Sequence, residues 1–176
     1  MRKVSLLFRI ALTAVVAFAI APSGMVRSQS KTVTTAEMAQ RADVVVVGRV
    51  SGLSSEWNEN RTRITTKVAV AVDQYVKGGT PGNSLTLYVP GGEVDGVGEV
   101  YSHMPTFKTN ENVLVFAEKD TRGRFHVSGG REGKCLLQKD QITGRLMVSG
   151  TKSLDEFTNQ IKTAVMQQQV APEQKH

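Results

Sequence analysis

Four β-branched residues in a row, Val44-Val45-Val46-Val47, constrain this chain more than any other feature. Side chains alternate between the two faces of a strand, so an unbroken apolar run predicts a strand buried on both sides. Gly48 follows at once and permits a sharp bend or a bulge. From residue 64 to 72 the pattern becomes strict alternation: Ile64, Thr66, Val68, Val70 and Val72 share one face, and Thr65, Lys67, Ala69 and Ala71 the other. That period predicts a half-buried strand with its apolar side inward. Leu85, Leu87 and Val89 alternate in a third strand. Residues 113–117 and 125–127 read as further strands around an Arg122-Gly123 turn, and Leu136-Leu137 with residues 146–148 predict a closing hairpin across Thr143-Gly144.

The segments between these strands carry turn chemistry. Trp57-Asn58-Glu59-Asn60-Arg61 reads as a polar turn holding the only tryptophan, and the Gly, Pro and Asn residues of 78–83 close the second strand. Thr34 followed three residues later by Glu37 is a capping box that opens a short helix, with Met38 and Ala39 inside it and an end near Arg41. A second helix is capped by Ser153 with Glu156 three residues on, and Leu154, Phe157, Ile161 and Val165 recur along one side that should pack on the sheet. With no internal repeat and no domain boundary, the expected fold is α+β, mainly β. It is a five- to six-stranded OB-like barrel with one short N-terminal and one C-terminal flanking helix.

The first 28 residues read as a secretory signal. Arg2 and Lys3 supply the positive start, residues 10–21 an apolar run of 12, and Val26 and Ser28 the small side chains for cleavage before Gln29. Such a run falls short of the roughly 20 residues that cross a bilayer, which favours an export signal over an anchor. The competing reading, an uncleaved anchor, draws on the mostly apolar residues 4–21. The expected organisation is therefore a signal peptide over 1–28, one domain over 29–168 and a frayed tail over 169–176. The domain should work in the periplasm or outside the cell with no stable membrane anchor. The signal holds four of the 22 basic residues and none of the 16 acidic ones, so its loss brings the net charge down from +6 to +2. That balance is a poor basis for steering toward nucleic acid or anionic membrane.

About 148 residues then remain, enough to bury roughly two-thirds of the unfolded chain's surface in one core without staples. Cys135 is the only cysteine, which excludes an intramolecular disulfide. Its apolar, strand-like setting reads as that of a buried, inert thiol.

One ordered set of motifs carries a resemblance: residues 42–50 (Ala-Asp-Val-Val-Val-Val-Gly-Arg-Val), Val76-Lys77-Gly78, the Gly91-Gly92 loop and Val113-Leu114-Val115-Phe116. The order resembles an uncharacterised family of bacterial exported proteins. It is similar, at greater distance, to the netrin-like domains of tissue inhibitors of metalloproteinases. The resemblance covers residues 42–137 and implies a five-stranded OB-type barrel with helices packed against it. Those inhibitors hold the protease zinc through the amine and carbonyl of an N-terminal cysteine. Here no cysteine precedes Cys135, so that route is excluded while inhibition through another loop stays open.

Enzymatic motifs are sparse. The chain has neither a Gly-x-Ser-x-Gly elbow nor a His-Glu-x-x-His pair, and the glycine loop lacks the Lys-Ser/Thr of a phosphate-binding P-loop. Ser149-Gly150-Thr151-Lys152 matches Ser-x-x-Lys without that motif's partners and reads as a helix-entry turn. Glu93, Asp95 and Glu99 are spaced for a cation but depart from the EF-hand pattern, and His103 beside Met104 is short of a copper site. His126, alternating with Phe125 and Val127, should point outward. Arg61, Arg63 and Lys67 would share an exposed strand face, with only Trp57, Tyr75, Tyr88 and Tyr101 to serve as platforms for single-stranded nucleic acid, and near-neutral charge and export favour a solvated face.

These readings lead to an exported, non-catalytic binding or interaction module with no cofactor, no metal and no catalytic residue. Its contact surface is expected in the Gly-rich loop over residues 91–105, where Gly91, Gly92, Glu93, Asp95, Gly96, Tyr101 and His103 lie, joined by Trp57. The expected partner is a protein or an envelope component, with no nucleic acid. The alternatives are an enzyme or an accessory or inhibitory factor of an exported protease, and a structural envelope protein.

Overall fold

The computed structural model describes residues 33–79 and 82–170. The expected signal peptide, Thr80 and Pro81 of the turn after the second strand, and the tail from residue 171 lie outside the described residues. The elements are α1 (Thr35–Arg41), β1 (Val44–Trp57), β2 (Ile64–Lys77), β3 (Ser84–Pro90), β4 (Gly92–Val94), β5 (Val97–Glu99), β6 (Asn112–Lys119), β7 (Phe125–Val127), a 3-10 turn (Gly130–Gly133), β8 (Lys134–Lys139), β9 (Leu146–Val148), β10 (Lys152–Ser153) and α2 (Leu154–Val170).

Five of these strands close on themselves. β1 pairs antiparallel with β2, and β2 with β3; β3 runs parallel to β7 at Leu87 and Phe125; β7 pairs antiparallel with β6, which returns to β1. The circuit β1-β2-β3-β7-β6 is an OB-type barrel, as the sequence predicts. β6 carries β1 along one edge and β7 followed by β8 along the other, so β8, β9 and β10 extend the sheet beyond the barrel.

The valine run follows from this geometry. Val44 and Val46 point into the barrel beside Val68, Leu87, Val113 and Val115. Val45 and Val47 point outward into a second core with Met38, Leu114, Phe116, Phe157 and Ile161. Both faces of β1 are therefore dry where it lies between β2 and β6. Gly48 sits where β1 crosses β2 so closely that a Cβ would run into the Ala71 carbonyl. Register shifts next to it bend the strand around the barrel.

The helices form the outer layer. Thr34 caps α1 with both arms of the capping box: its Oγ1 accepts from Glu37 N–H at 3.2 Å, and the Glu37 carboxylate accepts from Thr34 N–H at 2.9 Å. At the other end of α1, Lys77 Nζ donates to the carbonyls of Ala39 at 2.8 Å and Gln40 at 3.0 Å, satisfying groups a helix end leaves open. Burial pushes the Lys77 pKa down. Along α2 the expected stripe packs inward, with Ile161 fully buried and the Phe157 ring set edge-on to Phe116 at 6.5 Å.

Two segments differ from the sequence reading. Trp57 is the last residue of β1, paired with Ile64, and the turn begins one residue later at Asn58. There the Asn58 side chain accepts from Thr62 and Arg63 N–H. Within the Gly-rich stretch read as a loop, β4 and β5 pair as strands of a hairpin on a two-residue Asp95-Gly96 turn, with φ of 53° and 78°. That is the geometry Asp-Gly favours in tight hairpins.

Candidate functional site

Between the far half of β1–β2 and the segment that follows β3 lies a mostly apolar groove of about 360 Å³. Leu53 and Val68 come from the ribbon, Val89 and Pro90 from the end of β3, and Val100, Met104 and Phe107 from the segment leading to β6. Met104 and Phe107 also pack against the barrel core, so this segment plugs one end of the barrel as well as walling the groove.

The hairpin side of the groove is held by Glu99. Its carboxylate accepts from Ile64 N–H at 2.6 Å, Arg63 Nη1 at 2.9 Å and Tyr101 Oη at 2.7 Å. The Ile64 N–H first, then the guanidinium and phenol, hold the Glu99 carboxyl down to about 2. The opposite wall is held by Lys134, nearly buried, whose Nζ donates to Thr106 O at 2.6 Å and Glu111 at 2.5 Å and stands 4.6 Å from the Phe107 ring centre. Arg131 ties down the middle, with its N–H on His103 O at 2.9 Å and its guanidinium on Ser102 O.

At the floor, Thr66 Oγ1 donates to Gly91 O at 2.7 Å and lies 2.9 Å from Ser55 Oγ. With the Thr66 proton given to Gly91, Ser55 donates to Thr66 and keeps its own lone pairs for an occupant. Gly92 covers this pair so tightly that a Cβ would strike both hydroxyls. Among the described residues neither hydroxyl bonds an imidazole, amine or carboxylate.

Of the residues expected at a contact surface, Gly91, Gly92, Glu93 and Tyr101 line the groove. Asp95 and Gly96 stand exposed at the hairpin tip, and exposed His103 places its ring edge-on to Tyr101 at 6.0 Å. Trp57 lies at the end of the β1 ribbon and does not line the groove. Sequence reasoning missed Leu53, Ser55, Thr66 and Phe107. The signal for one was present: Thr66 is the polar interruption on the apolar face of β2.

The other candidate chemistries are engaged elsewhere. Among the described residues no three His, Cys, Asp or Glu side chains converge as metal ligands, and Glu99 of the acidic trio is committed to its clasp. Lys67 pairs with Glu56 at 2.7 Å and Arg63 with Glu99, leaving Arg61 alone of the three basic residues without a described partner. Lys152 Nζ is bonded to Gln160 rather than to Ser149. His126 points out of the barrel, with Nδ1 2.9 Å from Tyr88 O and Nε2 3.0 Å from Asp120, and so links β7 to β3 where one pairing closes the circuit. Arg124 N–H, then the His126 and Arg124 side chains, keep the Asp120 carboxyl well below the usual carboxylate range. Cys135, expected to be buried, is half-buried at the edge of the outer core, and the burial it has pushes the thiol up to about 11.

Fold and site together define an OB-type barrel with an apolar groove at one end. The chain matches no protein-family model and no curated protein.

Proposed function

We propose that this chain is an exported, non-catalytic binding module that engages a protein or envelope component through the groove between β1–β2 and residues 91–107. The observation that carries this reading is the combination of exposed apolar side chains and a rigid frame. Val100 is 86% and Leu53 40% exposed, yet both border walls clamped by Glu99 and Lys134. A fixed apolar concavity with few polar groups is the usual form of a recognition site, and a large exposed apolar side chain on a rigid wall marks contact with something else.

Site-specific photo-crosslinking in the cell that makes the protein tests this. A benzophenone side chain at Leu53 or at Val100 should yield a discrete adduct, whereas the same group at Ile142 should not. Ile142 is the suitable control because it is 95% exposed, equally apolar and outside the groove. Equal adducts at all three positions, or none at residues 53 and 100, would reject the groove as the contact surface.

A further inference from the structure

The groove borders a strand edge that has no partner among the described residues. Up to Arg49, β1 is flanked by both β2 and β6. Val50 is the last residue bonded on the β6 side, donating its N–H to Glu111 O at 2.9 Å and accepting from Asn110 N–H at 2.8 Å. A register shift between Val50 and Gly52 then swings β1 away, and residues 51–57 pair with β2 alone among the described residues. The hairpin β4–β5 is a separate sheet and does not pair with this edge.

Such an edge presents unpaired N–H and C=O groups in a row, and proteins commonly block it with lysine or proline. Residues 51–57, Ser-Gly-Leu-Ser-Ser-Glu-Trp, contain neither, and the one charge, Glu56, is already paired with Lys67. Leu53 on this stretch lines the groove and is partly exposed. Ser55 offers an acceptor at the floor. Glu93 also lines the groove and is exposed, and no described cation pairs with its carboxylate. Its carboxylate is open to a cation carried by an occupant.

Resting on the binding reading above, we infer that the occupant is an extended polypeptide segment. It adds to the residue 51–57 edge as a further strand, lays alternate apolar side chains into the groove and sets a lysine or arginine against Glu93. Main-chain hydrogen bonds supply affinity in this mode, and the groove selects side chains of one face only. A compact apolar molecule would fill the groove but leave both the edge and Glu93 unanswered.

The test uses an array of short synthetic peptides probed with the protein, alternating apolar with polar residues and carrying lysine or glutamate at one end. A parallel array holds the same compositions in block order. Binding should concentrate on the alternating, lysine-bearing members. For the best of these, Trp57 at the end of the edge reports the titration by its emission. N-methylation of alternate amides on the edge-facing side should weaken binding about tenfold or more. Glu93→Lys should transfer preference to the glutamate-bearing peptides, and Leu53→Asp should abolish binding while leaving the thermal transition cooperative.

Equal binding of alternating and block peptides, or of methylated and unmethylated ones, overturns strand addition. So does a dimer in sedimentation that Leu53→Asp dissolves, because the edge would then belong to a second copy. If no peptide binds while residues 53 and 100 crosslink a partner, the polypeptide occupant is wrong and the groove reading stands. If those crosslinks also fail, the groove reading itself falls.

Discussion

Glu99 shows how a residue named for one role in the sequence acquires another in the fold. Read beside Glu93 and Asp95 it suggested a cation ligand, whereas in the structure three donors enclose its carboxylate and fasten the hairpin to the start of β2. Because those donors favour the charged form, its folded-state pKa lies below the ordinary 4.5, at about 2. The clasp therefore contributes fully above about pH 4.5 and is lost as pH falls toward about 2. Melting temperatures of the wild type and Glu99→Gln measured across pH should differ at neutrality and converge over that acid window. A constant gap would show that the charge is irrelevant to the clasp. Lys134 is the complementary case, a cation 8% exposed at its side chain against Glu111. Lys134→Ala leaves that carboxylate with the Lys108 N–H as its remaining donor and should cost about 3 kcal/mol by urea unfolding, while a Lys134→Met, Glu111→Met pair should cost less because no unpaired charge is left over. Neither role was legible locally, since apart from Tyr101 the partners of Glu99, and those of Lys134, lie more than twenty positions away along the chain.

At the scale of elements, periodicity was a sufficient guide wherever burial decided the structure. The valine run, the alternation of β2 and the α2 stripe all emerge with their expected faces buried, because each pattern reports a period that water enforces. The capping box on α1 was equally readable, since its hydrogen bonds are three residues apart. The stretch over residues 92–99 reads in the sequence only as a mobile or hairpin loop, because β4 and β5 are only three residues each and half exposed, too short to show a period. Its Asp95-Gly96 turn was the available signal. Phe116 links the layers: fully buried on β6, it meets the Phe157 ring of α2. Phe116→Ala should destabilise the domain by about 3–5 kcal/mol in urea unfolding and raise hydrogen exchange in α2 before the barrel strands. Simultaneous loss of protection in both would mean that the outer layer and the barrel open as one unit.

For the whole molecule, the proposal of export and the groove make separate demands. No described helix is long and apolar enough to cross a membrane. Mass spectrometry of the protein recovered from the envelope or medium is expected to find a chain beginning at Gln29, and an intact Met1 terminus on a cytosolic form would refute export. By itself the sequence determined the class of fold, the main strands, both helices and the absence of an internal disulfide, because these depend on local propensity, on solvent-imposed periodicity and on counting. Only the tertiary structure decided how the barrel closes, through a single parallel pairing of Leu87 with Phe125, and which residues meet at the groove. Gly91, Gly92, Glu93 and Tyr101 could be nominated because they are neighbours in the chain. Leu53, Ser55, Thr66 and Phe107 join them through strand register and through the clamps at Glu99 and Lys134. Register and clamping are long-range pairings that no local pattern encodes.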